Sequence, residues 1–308
     1  MSHYWKSLAY LFIAVFLLSA CAGGNAAPTK APNASSGTVH AVAAENFWGS
    51  VASQVGGSHV AVTSIIASPD ADPHDYEPTA QDARTIADAQ YVISNGAGYD
   101  PWMDKLIAAN PAPGRKVLVI GDFLGKKEGD NPHLWYNPEY VKKVAGKMRD
   151  DLRTVDSKDG TAFDASLQQF LTTGLKDYDG LIADIKTRYG GTKVGATESV
   201  FAYLAPALGL DLTTPESYLN AVSEGEDISA TDEAEVERQI DQKQIAILVY
   251  NSQNTPSNVQ VLLQKAQDKG IPTPTITETP APATMSFQEW QVKQLKDIQA
   301  ALQKATGK

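Results

Sequence analysis

Residues 39–66 read VHAVAAENFWGSVASQVGGSHVAVTSII, and this stretch decides the fold class. Residues 39–46 and 59–66 are apolar runs typical of strands, and residues 47–55 between them have helical spacing. Strands that alternate with helices form βαβ units in a largely parallel sheet. The alternation continues with a helix over residues 79–89, a strand over 91–95, a helix over 101–109 and a strand over 116–120. The sequence therefore predicts an N-terminal α/β lobe over residues 38–137.

A helical segment without a convincing strand follows over residues 138–190. A break at residues 156–160 divides it into two helices, and the second, residues 161–189, would be about 40 Å long. The alternation then resumes with strands over residues 193–198, 245–250 and 273–278 and helices over 200–208, 231–243, 256–269 and 286–306. We therefore predict an α/β protein with a second lobe over residues 191–308, in which a long backbone helix joins two βα-lobes with mostly parallel sheets. Such a rigid linker would permit only small lobe movements.

The first 37 residues carry signals for export and anchoring. Residues 1–20 contain one lysine and a short apolar run, which predicts a signal peptide. Leu18-Ser19-Ala20-Cys21 resembles the bacterial lipobox, and Cys21 is the only cysteine in the chain, so we expect it to carry a lipid. Residues 21–37 are mostly small and polar, which predicts a flexible tether after the lipidated cysteine. We therefore expect a lipid-anchored protein outside the cytoplasm, on the cell surface or in the periplasm.

The charge of the chain argues against one class of partner. It has 36 acidic and 26 basic residues, a formal net charge of -10, and its lysines and arginines form no basic cluster. A nucleic-acid-binding protein needs such a cluster to neutralise phosphates. We therefore expect no nucleic-acid partner.

Two stretches each hold a histidine near prolines, and both predict metal ligands. They read Asp72-Pro73-His74-Asp75-Tyr76-Glu77-Pro78 and Asn131-Pro132-His133-Leu134-Trp135-Tyr136-Asn137-Pro138. Proline restricts the loop conformations, and imidazole is a common ligand of divalent ions. His74 follows the second predicted strand and His133 follows the fourth, where ligands bind in parallel sheets. His59 begins a strand, at the opposite end, and we interpret it as structural.

Two carboxylates follow strands of the second lobe, Glu198 after residues 193–197 and Glu278 after residues 273–277. Two imidazoles and two carboxylates in the cleft between the lobes would neutralise one divalent cation. Two alternatives remain open, since Glu198 would also suit the N-terminus of the helix over residues 200–208 and Glu278 would also suit a solvated loop. Asn251 and Glu45 end strands on the same face, and we expect them to hydrogen-bond to the ligands.

The two predicted imidazoles and two carboxylates indicate a site for a divalent cation but do not select one metal. An oxygen-rich shell favours Mn²⁺ or Fe²⁺ on geometry, yet Zn²⁺ binds such a set at least as tightly. A zinc hydrolase is a weaker alternative, because a fourth protein ligand closes the position that water needs and the chain has no His-Glu-x-x-His motif. A surface lipoprotein or adhesin stabilised by metal stays open. We expect a binding protein for one divalent ion, Mn²⁺ or Zn²⁺, and no enzyme.

With these motifs in place, the whole chain resembles the metal-binding solute-binding proteins of ABC transporters, the bacterial solute-binding protein 9 family or cluster A-I. Two further motifs support the resemblance, Asn95-Gly96-Ala97-Gly98-Tyr99-Asp100-Pro101-Trp102 and Thr197-Glu198. The resemblance implies import of zinc, manganese or iron, a monomer, an ABC permease with its cytoplasmic ATPase as partners, and a metal between two α/β lobes. The ligands it implies are His74, His133, Glu198 and Glu278.

The chain departs from the pattern of zinc-specific relatives in this family. Glu198 stands where zinc members often have histidine, which favours manganese or iron. Glu278 stands where aspartate is usual, so the reach of the fourth ligand is in doubt. Zinc members also often carry a loop rich in histidine, whereas residues 121–130 contain none. The resemblance therefore favours a manganese or iron protein over a dedicated zinc protein.

Overall fold

The computed structural model describes residues 37–69, 71, 73–74 and 76–308. The predicted signal peptide, Cys21 and nearly all of the predicted tether lie outside these residues, as do Asp70, Asp72 and Asp75 of the first histidine loop. Residues 38–308 form a single packed unit. None of the described helices is both long enough and apolar enough to cross a bilayer.

The first sheet has four parallel strands in the order β2-β1-β3-β4. Its elements are β1 (Val39–Glu45), α1 (Asn46–Gly56), β2 (Val60–Ile66), α2 (Ala80–Ala87), β3 (Tyr91–Ser94), α3 (Pro101–Ala109), β4 (Lys116–Val119) and a short α4 (Ile120–Phe123). Glu45 pairs with Ile66, and Ser94 pairs with Val119. Because paired strands end together, the loops that follow them leave from one edge of the sheet.

The helical segment contains α5 (Pro138–Val155), α6 (Gly160–Gln169) and α7 (Lys176–Tyr189). The prediction of one regular helix over residues 161–189 was wrong in its middle, where Phe170–Gly174 forms a π-helical turn between α6 and α7. There the Leu175 amide donates to the Phe170 carbonyl, five residues earlier. The wider turn lets the side chains of Phe170 and Leu175 both reach the core.

The second sheet is also parallel, in the order β6-β5-β7-β8. Its elements are β5 (Lys193–Ala196), α8 (Leu204–Ala207), β6 (Asp211–Leu212), α9 (Glu216–Ser223), α10 (Ala230–Asp241), β7 (Leu248–Asn251), α11 (Ser257–Asp268), β8 (Thr275–Ile276) and α12 (Phe287–Thr306). The helix predicted over residues 200–208 was wrong: a 3-10 turn at Ser199–Phe201 precedes the four-residue α8. Pro206 explains this, because proline has no N–H to donate and is tolerated only in the first turn of a helix.

The C-terminal helix α12 returns the chain to the first lobe. Ser286 and Glu289 form the capping box at its start, as their spacing predicts. The helix packs against α7 and α1, so one apolar core runs through both lobes and the helical segment. The fold class predicted from the sequence, two parallel-sheet α/β lobes with helical segments between them, is confirmed.

Candidate metal centre

Three of the four predicted ligands meet at the facing edges of the two sheets. His133 precedes the 3-10 turn at Leu134–Tyr136, Glu198 lies two residues beyond β5, and Glu278 lies two residues beyond β8. Each offers one ligand atom, and these three atoms all lie within 4.8 Å of one another. The loops after parallel strands thus bring together side chains that are up to 145 residues apart in the sequence.

The His133 ring is held so that one nitrogen faces the two carboxylates. Its Nδ1 lies 2.8 Å from Asn131 Oδ1, an oxygen that also accepts the His133 backbone N–H at 3.0 Å. Asn131 Nδ2 donates to the Ser199 carbonyl at 2.7 Å, which fixes the orientation of the amide. Since Oδ1 can only accept, Nδ1 carries the proton and Nε2 keeps its lone pair.

That second nitrogen is set up to accept a cation. Nε2 is buried, has no hydrogen-bond partner in the described part of the chain, and lies 3.9 Å from Glu278 Oε2. Burial and the nearby charge of His74 lower the pKa of His133 to about 3, so the ring is neutral at physiological pH. A neutral imidazole with a fixed tautomer is the form that binds a metal ion.

The two carboxylates accept hydrogen bonds from the same amide nitrogen, Nδ2 of Asn251. Asn251 Nδ2 donates to Glu278 Oε1 at 2.7 Å and to the two oxygens of Glu198 at 3.1 and 3.3 Å. Its Oδ1 accepts the Gln253 backbone N–H at 2.9 Å, which settles which end of the amide faces the carboxylates. Burial first, and then the charge of Glu278, raise the pKa of Glu198 well above its ordinary value. A divalent cation between the carboxylates would relieve this repulsion.

The structure also bears on the two alternative interpretations of these glutamates. Glu198 occupies the N-cap position of the 3-10 turn, but its side chain makes no capping hydrogen bond. Glu278 is only 14% exposed and accepts a hydrogen bond from Tyr99 Oη at 3.0 Å, so it does not lie on a solvated loop. Both side chains point into the space between the lobes.

His74 lies next to the group formed by His133, Glu198 and Glu278. Its ring packs edge-on against the ring of Tyr99, with 4.8 Å between centroids, and the same tyrosine lies 6.1 Å from the His133 ring. His74 and Glu278 both line a cavity of about 680 Å³, whose first-lobe lining is Pro69, Ala71, Pro73 and His74 and whose other side is formed by loops of the second lobe. The cavity leads from the three-residue group towards the surface.

Glu45 and Tyr99 extend the polar surroundings into the first lobe. Glu45 is fully buried at the end of β1, and burial together with the charge of Asp100 raises its pKa well above the ordinary value. Its charge in turn helps to raise the pKa of Tyr99, which donates to Glu278. Sequence reasoning assigned no role to Tyr99 or Asn131, although both follow strands at the edge where the ligands were expected.

Comparisons with known proteins identify the family of this chain. A sequence model of the family described as ZnuA, zinc-uptake complex component A, periplasmic, matches residues 41–301. The manganese-binding lipoprotein MntA of Halalkalibacterium halodurans is 26% identical over 225 residues, which cover 71% of this chain and 74% of that protein. The manganese ABC transporter substrate-binding lipoprotein PsaA of Streptococcus mitis is 24% identical over 239 residues, covering 69% and 70%.

A solved structure shares the fold. A manganese-bound variant of the periplasmic metal-binding protein from Candidatus Liberibacter asiaticus superposes with a TM-score of 0.72 at 16% identity, covering 86% of this chain and 99% of that one. Together with the sequence matches, it confirms the family resemblance predicted from the motifs.

Proposed function

Since the chain belongs to the family of periplasmic zinc-uptake component A proteins, we propose that it is the extracytoplasmic substrate-binding component of an ABC importer for a divalent transition metal. It captures one ion between its lobes and delivers it to a membrane permease, which a cytoplasmic ATPase drives. One relative is named a manganese-binding lipoprotein and another a manganese ABC transporter substrate-binding lipoprotein, which supports the proposal. The same membership supports our proposal that the chain binds a metal and is not an enzyme.

The proposed ligands are His74, His133, Glu198 and Glu278. The observation that carries the proposal is the buried Nε2 of His133, a lone pair with no hydrogen-bond partner among the described residues, aimed at two carboxylates of the other lobe. Such an atom is costly to bury unless a ligand satisfies it. We propose His74 as the fourth ligand, because it lines the same cavity as Glu278 and its ring packs against Tyr99, which donates a hydrogen bond to Glu278.

We propose manganese as the favoured cargo. Two carboxylates give an oxygen-rich shell with room for more than four contacts, which Mn²⁺ accepts readily. Asn251 holds Glu198 and Glu278 together without adding a further nitrogen ligand. Zinc competes, because it stands above manganese in the Irving–Williams order, and the metal carried in a cell depends on supply as well as on affinity.

The anchor belongs to the same proposal. Export and lipid attachment at Cys21 would hold the protein beside its permease, and residues 21–37 would tether it there. The metal-binding unit is proposed to act as a monomer. Its only contact with the membrane would be the lipid.

Native mass spectrometry combined with elemental analysis tests the metal site. Protein from Mn-limited and from Zn-limited cultures should carry one ion per chain. His133→Ala and Glu198→Gln should carry none, whereas His59→Ala should keep the ion. His59 is the matched control, because it pairs with Asp159 at 2.7 Å outside the site. One ion retained in both site variants would refute the proposal.

Chelation separates a carrier from a lipoprotein that needs metal to fold. A carrier should keep its circular dichroism and its cooperative unfolding when the ion is removed. The shared apolar core supports this expectation, since it runs through both lobes and consists of apolar side chains and not of the proposed ligands. Loss of folded structure on chelation would favour the metal-stabilised adhesin instead.

A further inference from the structure

One segment, residues 95–102, runs from the end of β3 into the first turn of α3 and is hydrogen-bonded to both histidine loops. Trp102 Nε1 donates to the carbonyl of Pro73 at 3.0 Å, and Asn95 Nδ2 donates to the carbonyl of Pro132 at 2.9 Å. Each of these carbonyls belongs to the residue immediately before a histidine. The two donors lie seven residues apart in one short piece of chain, so they connect two loops that are otherwise distant in sequence.

Prolines make these carbonyls the natural points of attachment. Proline has no backbone N–H, so at Pro73 and Pro132 only the carbonyl is available for a hydrogen bond. Both donors are buried, with Trp102 5% and Asn95 0% exposed. Water therefore has little access to replace either bond if the donor is lost.

The segment itself is held in one conformation. Asp100 accepts the backbone N–H groups of Asn95 at 2.8 Å and Gly96 at 2.7 Å, and the Gly121 amide donates to the Asn95 carbonyl at 2.8 Å. Residues 96–98 all have positive φ, and Ala97, at 54°, is not a glycine. A left-handed alanine persists only where its surroundings determine the backbone, and here Asp100 and Gly121 do so.

The same segment also places a spacer between the imidazoles. The ring of Tyr99 lies between the rings of His74 and His133, at centroid distances of 4.8 and 6.1 Å. The segment thus contacts each histidine loop by a hydrogen bond, and the ring of Tyr99 packs against each histidine ring in a T-shaped arrangement.

We propose that residues 95–102 set the separation of the two imidazoles before the ion arrives, with Trp102 and Asn95 as positioning residues. The inference rests on the proposed function, because it assigns these residues to the same metal site. It predicts that affinity depends on two hydrogen bonds that touch neither the ion nor a ligand side chain. Pre-organised ligands bind more tightly because less ordering remains to be done on binding.

Trp102→Phe tests the first bond, because it removes the N–H and keeps an aromatic ring against Tyr76, whose centroid lies 4.9 Å away. We expect Mn²⁺ binding about two- to tenfold weaker, the loss of one hydrogen bond. Tyr91→Phe is the matched control, since it removes a buried hydroxyl that donates to Asp151 at 3.2 Å, at the opposite end of β3. It should lower stability by a similar amount and leave Mn²⁺ binding unchanged.

Asn95→Asp tests the second bond. It keeps an acceptor for Trp48 Nε1 but turns an oxygen towards the Pro132 carbonyl. The visible absorption bands of bound Co²⁺ report ligand geometry, which a merely structural residue would not change. These bands should shift in Trp102→Phe and Asn95→Asp and stay as in the wild type in Tyr91→Phe.

Hydrogen exchange at the Trp102 indole N–H of the wild-type chain tests the same inference if a variant does not fold. The Trp102 N–H should exchange slowly both without metal and with Mn²⁺, because the bond exists beforehand. Fast exchange in the metal-free chain would overturn the inference, as would unchanged affinity and Co²⁺ bands in both folded variants. A wild-type chain that binds neither Mn²⁺ nor Co²⁺ would instead refute the proposed function.

Discussion

Lowering the pH from 7 to 6 should weaken metal binding about tenfold, because the ion must displace a proton from the buried carboxylate pair. In the metal-free protein, burial and the charge of Glu278 raise the pKa of Glu198 well above its ordinary value. The metal-free pair therefore keeps a proton to a higher pH than an exposed glutamate does. His133 contributes nothing to this exchange, because its pKa of about 3 leaves it neutral throughout the range.

The sign and the size of the effect follow from the exchange of one proton. Coordinated carboxylates are ionised, so their pKa is lower with the ion than without it, and affinity rises with pH up to the raised pKa. One proton displaced per ion changes Kd about tenfold per pH unit, which corresponds to about 1.4 kcal/mol. Asn251 partly offsets the effect, since its donated hydrogen bonds favour the ionised form of Glu198.

Isothermal titration with Mn²⁺ in two buffers of different ionisation enthalpy counts the protons released at pH 6.5. Infrared difference spectra identify their source, because the wild type should lose a protonated-carboxyl band when Mn²⁺ is added. Metal-free Glu198→Gln is the control and should lack that band. An affinity that changes less than about twofold between pH 6 and 7, with one ion still bound, would show that the carboxylates carry no proton.

Four other predictions concern stability, anchoring and motion. The metal-free protein should become less stable to urea as the pH rises from about 4 to 6. Burial raises the pKa of Asp100 from 3.8 to about 6, so over this range the folded state binds more protons than the unfolded one. An increase in the free energy of unfolding over this range would contradict the prediction. Ser286→Ala should cost about 1 kcal/mol in urea unfolding by removing the capping box and should leave the Kd for Mn²⁺ unchanged. Cys21→Ala should abolish incorporation of labelled acyl chains and release the protein from the membrane, whereas labelling that persists would rule out the lipid anchor. X-ray scattering should show little compaction when Mn²⁺ is added, because α12 packs against both α7 and α1, and a large compaction would indicate a wide hinge.

Sequence reasoning worked best where the signal was local. Apolar runs and helical spacing predicted seven of the eight strands, because each depends on neighbouring side chains. The strand-end rule then predicted that His74, His133, Glu198 and Glu278 would converge, and the ligand atoms of the last three lie within 4.8 Å of one another. The rule succeeds because parallel strands in one sheet have their carboxyl ends on the same side.

The errors came from features with little local signal. Strand β6 is two residues long, too short for any period to appear. The position of the π turn at Phe170–Gly174 depends on which side chains pack into the core. Pro206 is a sequence signal against a regular helix over residues 200–208. The prediction followed the apolar spacing of these residues instead. This difference matters, because no regular helix begins at Glu198 to compete for its carboxylate.

By itself, the sequence determined the alternation of strands and helices, the parallel sheets, and the residue types of a site for a doubly charged cation. These depend on short-range periodicity and on the chemistry of single side chains. Only the tertiary structure decided the tautomer of His133, the amide of Asn251 between two glutamates, and the attachment of both histidine loops to Trp102 and Asn95. Each of these is a hydrogen bond between side chains or loops that only packing brings within 3 Å or so of one another.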